Sequence, residues 1–171
     1  MQHRVAFYPC CHLDIKRPLE LLDRYTDEVI FCDINASLLP RWKRIVSTET
    51  ATEPRPSFLI GDVREAISRV AVINLLFYRR DSAGEGGSGV FVLGDSFLPH
   101  LLQRFPAEGG LIITDGSNSR GSNFERMIRP NGMCKHGWLF TKSSNQPYIE
   151  SDRLYVVTVA PAPAVAALQP R

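Results

Sequence analysis

The stretch YPCCHLDIKRPLELLDRYTDEVIFCDIN, Tyr8 to Asn35, reads as the end of a strand, a tight turn, a helix and a second strand that closes on an acid, Asp33. Arg4–Tyr8 makes the first strand. Pro18 suits the first turn of the helix, and Asp14 stands just ahead of it as a candidate cap. Leu19, Leu22 and Tyr25 form the inward stripe. The second strand, Glu28–Asp33, is continuously apolar through Val29, Ile30, Phe31 and Cys32, the pattern of a strand covered on both faces in a parallel sheet. This is the outline of a nucleotide-binding βαβ unit. The turn, however, reads Pro9-Cys10-Cys11-His12-Leu13-Asp14 and carries no glycine.

The alternation continues downstream. Ser37 is a candidate cap for a second helix, with Leu38, Trp42 and Ile45 facing inward. A third strand, Ser57–Ile60, ends at Gly61-Asp62. Asp62 and Glu65 are spaced as a capping box, and Val63, Ile67 and Val70 follow at helical intervals. Ala71–Tyr78 is the fourth strand. Leu98, Leu101, Leu102 and Phe105 make a helical stripe, and Gly110–Thr114 is the fifth strand. A short helix is expected over Phe124–Ile128. Two further strands, Trp138–Thr141 and Leu154–Val159, have no helical pattern between them and should pair antiparallel.

The expected fold is therefore α/β: a doubly wound, mostly parallel seven-stranded sheet with a C-terminal antiparallel pair. Residues 1–159 form a single domain, and 160–171 form a loose tail.

Bulk properties exclude several classes. With 171 residues, 44% hydrophobic and 22% charged, the chain is an ordinary globular domain with a real core. A net charge of +2 does not argue for nucleic acid. The basic residues are dispersed as Arg41/Lys43/Arg44, Arg79/Arg80 and Arg126/Arg129, the pattern of a solvated surface. No segment reaches the roughly 20 apolar residues of a membrane span. The apolar run in MQHRVAFYPCCHLDI is too short to read as a signal peptide, so the expected location is cytoplasmic, and Cys10, Cys11, Cys32 and Cys134 are expected as reduced thiols. No CxxC pair calls for a metal; the cysteines read as small buried hydrophobes.

At this level the layout resembles the class I S-adenosylmethionine-dependent methyltransferases, over roughly Arg4–Val159 and in layout more than in motif. The resemblance implies a seven-stranded Rossmann-like sheet with S-adenosylmethionine lying across the carboxyl ends of the first strands. It implies that Asp33, in VIFCDIN, binds the ribose hydroxyls with Ile34 beside it, and that Asp62, in FLIGDV, contacts the adenine with Gly61 and Val63. It implies that Pro9, Cys10, Cys11 and Asp14 line the methionine end, with Asp14 accepting from the ammonium, and that Tyr78, at the end of the fourth strand, also meets the cofactor on the side where the acceptor lies. The acceptor would lie beyond the fourth and fifth strands, near Arg79, Arg80, Asp81, Ser82, Asp115, Ser117 and Asn118. The arginines suit an acidic or phosphate-bearing acceptor; the bland alternative is a surface Arg–Asp pair. No residue is singled out as catalytic.

A second reading is a methyltransferase-like domain whose altered turn ended catalysis, and which now binds a small ligand, a protein or its own copy as a homodimer. Two other motifs are weaker. The G-x-G-x-x-G match Gly84–Gly89 follows the fourth strand rather than the first and reads as a loop. VFVLGDSF, Val90–Phe97, resembles the nucleophile block of GDS-type esterases with Ser96 as nucleophile, but no histidine has an Asp three residues before it. There Asp95 or Ser96 is more simply the cap of the helix that follows.

Overall fold

The computed structural model describes residues 3–47, 54–79, 92–115, 132–143 and 152–160. The elements run β1 (Val5–Pro9), α1 (Lys16–Leu22), β2 (Glu28–Asp33), a 3₁₀ turn (Ala36–Leu38) leading into α2 (Leu39–Ser47), and β3 (Arg55–Ile60). They continue with α3 (Val63–Ala66) and its 3₁₀ extension (Ile67–Arg69), β4 (Leu75–Tyr78), α4 (Leu98–Leu102) and β5 (Gly110–Thr114). The chain closes on β6 (Met133–Lys135), β7 (Trp138–Lys142) and β8 (Arg153–Val159). Arg80, Asp81, Ser82, the Gly84–Gly89 loop, Ser117, Asn118, the Phe124–Ile128 helix and all of the tail after Ala160 lie outside the described residues.

The sheet has eight strands in the order β3-β2-β1-β4-β5-β8-β7-β6. The first five are parallel. β8 lies antiparallel beside β5, and β7 antiparallel beside β8, the expected pairing of the last two sequence-legible strands. The strand beyond the expected seven is β6, which pairs with β7. Its hairpin turns on His136 and Gly137, at φ 50° and 78°. Two left-handed residues in a two-residue turn match the natural twist of a hairpin.

Two layers of side chains cover the sheet. Leu19 and Leu22 of α1 and Trp42 of α2 pack with Tyr8, Val29, Phe31 and Phe77 on one face. Val63 and Ala66 of α3 and Leu98, Leu101 and Leu102 of α4 pack with Phe7, Cys32, Leu76 and Tyr155 on the other. Burial on both faces accounts for the unbroken apolar runs of β1, β2 and β4.

Helix starts are where local sequence rules fail most. Asp62 does cap α3, accepting from the Arg64 amide. The 3₁₀ turn ahead of α2 is capped by Asn35, which accepts from the Ser37 amide, rather than by Ser37 itself. Asp14 does not cap α1, whose N-cap is Ile15, because the Asp14 carboxylate is drawn to Tyr8. Neither Asp95 nor Ser96 caps α4: the N-cap is Phe97, and Asp95 instead pairs with Lys135 and with His136 at 3.2 Å. That pairing ties the β6–β7 hairpin to the start of α4, and Ser96 stays exposed.

All parallel strands end at one edge of the sheet, so the turns after β1, β2, β3 and β4 gather there. At the opposite edge Glu28 of β2 joins β3 to the segment just ahead of β1. It accepts from Ser57 Oγ at 2.5 Å and from Arg55 at 2.8 Å, and His3 Nε2 lies 2.9 Å away. Partial burial pushes its carboxyl up, but the hydrogen bonds from Ser57, His3 and Arg55 outweigh this and hold it down near 2. The folded value lies below the unfolded one, so this stabilisation is complete above pH 4.5 and lost as pH falls through about 2. Urea melts of wild type and Glu28→Gln should therefore differ by a constant amount at neutral pH, with the gap closing between pH 4.5 and 2. A gap independent of pH would contradict this.

Candidate functional site

The site is built where the turns after β1 and β2 meet. In the register of these strands Pro9 lies opposite Cys32. The chain after Pro9 must therefore fold back sharply beside Asp33. Cys10 and His12 both take left-handed backbone, at φ 57° and 46°. These are the conformations glycine adopts without penalty; for other residues each costs roughly 1–2 kcal/mol.

Three contacts hold the strained turn. The His12 amide donates to Asp33 Oδ2 at 3.1 Å, the Trp42 indole N–H donates to the His12 carbonyl at 2.5 Å, and the Cys11 amide donates to the Cys32 carbonyl at 3.3 Å. Trp42 is fully buried and stacks on Phe58 with ring centroids 5.3 Å apart, so its donor is rigidly placed.

Asp33 is the junction. Oδ2 accepts from the His12 amide, and Oδ1 accepts from the Asn35 amide at 2.9 Å. A carboxylate has about four acceptor positions, and backbone amides use two of these. The half-buried side chain keeps acceptor capacity toward solvent. Beside it Ile34 is 65% exposed and Leu13 37% exposed, so apolar surface flanks the carboxylate on both turns.

Asp14 follows on the same turn. Its amide donates to the Cys11 carbonyl at 2.9 Å, and its Oδ2 accepts from the Tyr8 hydroxyl at 2.9 Å. Arg79, directly after β4, places a guanidinium nitrogen 3.9 Å from that same oxygen. The rest of the guanidinium grips Asp152 with two hydrogen bonds, at 3.0 and 2.5 Å, and lies over the Phe77 ring at 4.9 Å. Burial and the adjacent Asp14 carboxylate push the Tyr8 phenol up, so it remains a hydrogen-bond donor at any ordinary pH.

The sequence-derived candidates thus divide. Asp14, Asp33, Ile34, Gly61 and Cys10 stand together at the carboxyl edge, each at least partly accessible. Gly61 links β3 to Asp62 at φ +154°, and an added Cβ would come within 2.9 Å of the Arg69 guanidinium. The side chains of Cys11, Val63 and Tyr78 point into the core, so they can meet a ligand only through backbone. Pro9, the last residue of β1, is buried as well. Asp62 is engaged by the Arg64 amide and side chain, which hold its carboxyl down near 2. Asp115 is half-buried just past β5. The surface Arg–Asp pair expected for Arg79 is a buried one, and its acid is Asp152. The reason is topological: antiparallel β8 starts beside the end of β5, which brings Asp152 to this edge.

Burial pushes the Cys11 thiol well up, and pushes that of Cys32 to about 12, in both cases with help from the Asp33 carboxylate. These two are packing thiols. Among the described residues no group of His, Cys, Asp or Glu is placed to hold a metal ion, and no helix is long and apolar enough to cross a membrane.

No family model and no curated protein matches the chain. Solved structures do. TrmN from Thermus thermophilus superposes with a TM-score of 0.55 at 16% identity, over 92% of this chain and 44% of its own. An rRNA methylase from Streptococcus thermophilus gives 0.54 at 10% identity, over 92% and 87%. Human methyltransferase-like protein 13, solved in complex with SAH, gives 0.56 at 11% identity, over 94% and 73%. The chain spans less than half the length of the Thermus protein. At these identities the likeness is one of architecture: the chain has the class I methyltransferase-like fold. None of these neighbours supports the esterase reading of Ser96.

The left-handed turn makes a stability test. The His12 side chain is exposed, so replacing it disturbs little packing. His12→Gly should leave the urea midpoint unchanged or raise it, whereas His12→Val, with a branched Cβ at positive φ, should cost roughly 1–3 kcal/mol. Equal stability of the two variants would show that the turn is not held in this conformation.

Proposed function

We propose that the edge formed by the Cys10–Asp14 turn and Asp33 binds S-adenosylmethionine, and that the protein is a methyltransferase. One observation carries the reading. Asp33 stands at the end of β2 with both oxygens oriented by backbone amides, and with acceptor capacity left toward solvent. That acceptor arrangement fits a nucleoside: a carboxylate fixed at two points can accept from two vicinal hydroxyls. The fold shared with methyltransferases supports the same reading.

When bound, S-adenosylmethionine supplies an electrophilic methyl group on a sulfonium. Direct transfer to a nucleophile needs alignment more than covalent assistance. Asp33 would accept from the ribose hydroxyls, the exposed Ile34 would offer apolar surface to the base, and Asp14 would accept from the ammonium. Arg79 is not assigned to an acceptor, since its guanidinium is committed to Asp152.

Calorimetric titration with S-adenosylhomocysteine tests the proposal. Wild type should bind, and Asp33→Ala should weaken binding by roughly 1–3 kcal/mol, with thermal melts verifying that the variant folds. No binding by wild type at millimolar ligand would count against the site. Unchanged affinity in a folded Asp33→Ala protein would remove the assigned role of this residue.

A further inference from the structure

The buried polar cluster Tyr8–Asp14–Arg79–Asp152 has a use that packing does not supply. As a source of stability a buried ion pair has little to recommend it, because desolvation offsets most of the attraction. This one also extends beyond the pair. Arg79 uses Nε and one terminal nitrogen on Asp152, whose side chain is fully buried, and turns its other terminal nitrogen toward Asp14 Oδ2. Tyr8, 2% exposed, donates to the same oxygen. Two cationic or hydroxyl groups therefore approach the Asp14 carboxylate from its buried side. Its backbone is pinned as well, through the bond to Cys11. Yet the Asp14 side chain is 36% exposed. The carboxylate is held from behind and presented at the front.

The charge balance has a direction too. Two carboxylates and one guanidinium leave this cluster one net negative charge, and Asp14 is its solvent-facing acid while Asp152 is fully buried. A cation is the complementary partner, and a primary ammonium fits a carboxylate with accessible lone pairs. Preorganising such a group through a second layer of hydrogen bonds is how a binding site keeps its geometry before the ligand arrives.

We infer that Tyr8 and Arg79 are positioning residues that aim the Asp14 carboxylate at the ammonium of an amino-acid-bearing ligand, with Asp152 holding Arg79 in place. The inference rests on the reading of this edge as an S-adenosylmethionine site and adds what selects the amino-acid end. It makes the site a discriminator between nucleosides with and without that end.

The test compares two probes, S-adenosylhomocysteine and 5′-methylthioadenosine, which share the adenosine and the thioether; only the first has the ammonium. Tyr8→Phe removes one hydroxyl from the cluster and keeps the ring. In this variant the affinity for S-adenosylhomocysteine should fall roughly 5- to 30-fold, while that for 5′-methylthioadenosine should change less than about twofold. A disturbance of packing alone would weaken both alike, and that result, or no change in either, overturns the inference. Should Tyr8→Phe not fold, Asp14→Asn must show the same split, and an equal loss for the two probes overturns the inference there also. Wild type that binds neither probe overturns the reading of the site and this inference with it. Wild type that binds both, with variants that fail to discriminate, overturns the inference alone.

Discussion

A single carboxylate ties the carboxyl edge of the sheet together. Asp33 accepts one hydrogen bond from the turn that leaves β1 and another from the turn that leaves β2. Parallel strands need such a fastening. Their neighbouring ends belong to loops distant in sequence, and no ladder bond reaches beyond the last paired residues. The apolar body of β2 places this acid at the rim, since an ionised group is costly inside a two-faced core. The rim is also where open α/β sheets bind their ligands.

The Pro9–Asp14 segment facing Asp33 shows how a turn without glycines can keep a glycine-like path. Cys10 and His12 accept left-handed backbone, alternating with Cys11, whose side chain enters the core and whose amide bonds to the neighbouring strand. The strain at two residues is offset by the buried Trp42 indole, by Asp33 and by the anchoring of Cys11. Small side chains help: a thiol on a left-handed residue crowds the turn less than a branched chain would. The glycine pattern of dinucleotide sites lets backbone wrap a pyrophosphate. The sulfonium nucleoside proposed for this edge has no pyrophosphate, and would ask correspondingly less of the turn.

Much of the fold was legible in the sequence because long-range order here follows local pattern. Continuous apolar runs marked β1, β2 and β4, helical stripes marked α1 and α4, and Asp62 announced its own cap. Gly110–Thr114 fell on β5 without error. β4 begins at Leu75 rather than Ala71, since the residues just before it bond elsewhere, the Ile73 amide to the Arg104 carbonyl. β6 escaped notice because three residues make too short a pattern; only the His136-Gly137 turn hinted at it. In the site, Asp33 was legible from its place after a buried run. Tyr8 and Asp152 were not. A tyrosine in an apolar strand looks like core until its hydroxyl has a named partner, and an acid ahead of a last strand looks like solvent until topology brings it under Arg79.

The same edge therefore joins two kinds of order: a backbone turn shaped by one carboxylate, and a buried charge cluster behind another. Amide chemical shifts of His12 and Asn35, followed during titration with S-adenosylhomocysteine, report on the first most directly, because both amides bond to the carboxylate proposed to meet the ribose. Both resonances should move along a single saturable curve. Resonances that stay at their free positions through millimolar ligand would mean that Asp33 fastens two loops and meets no nucleoside.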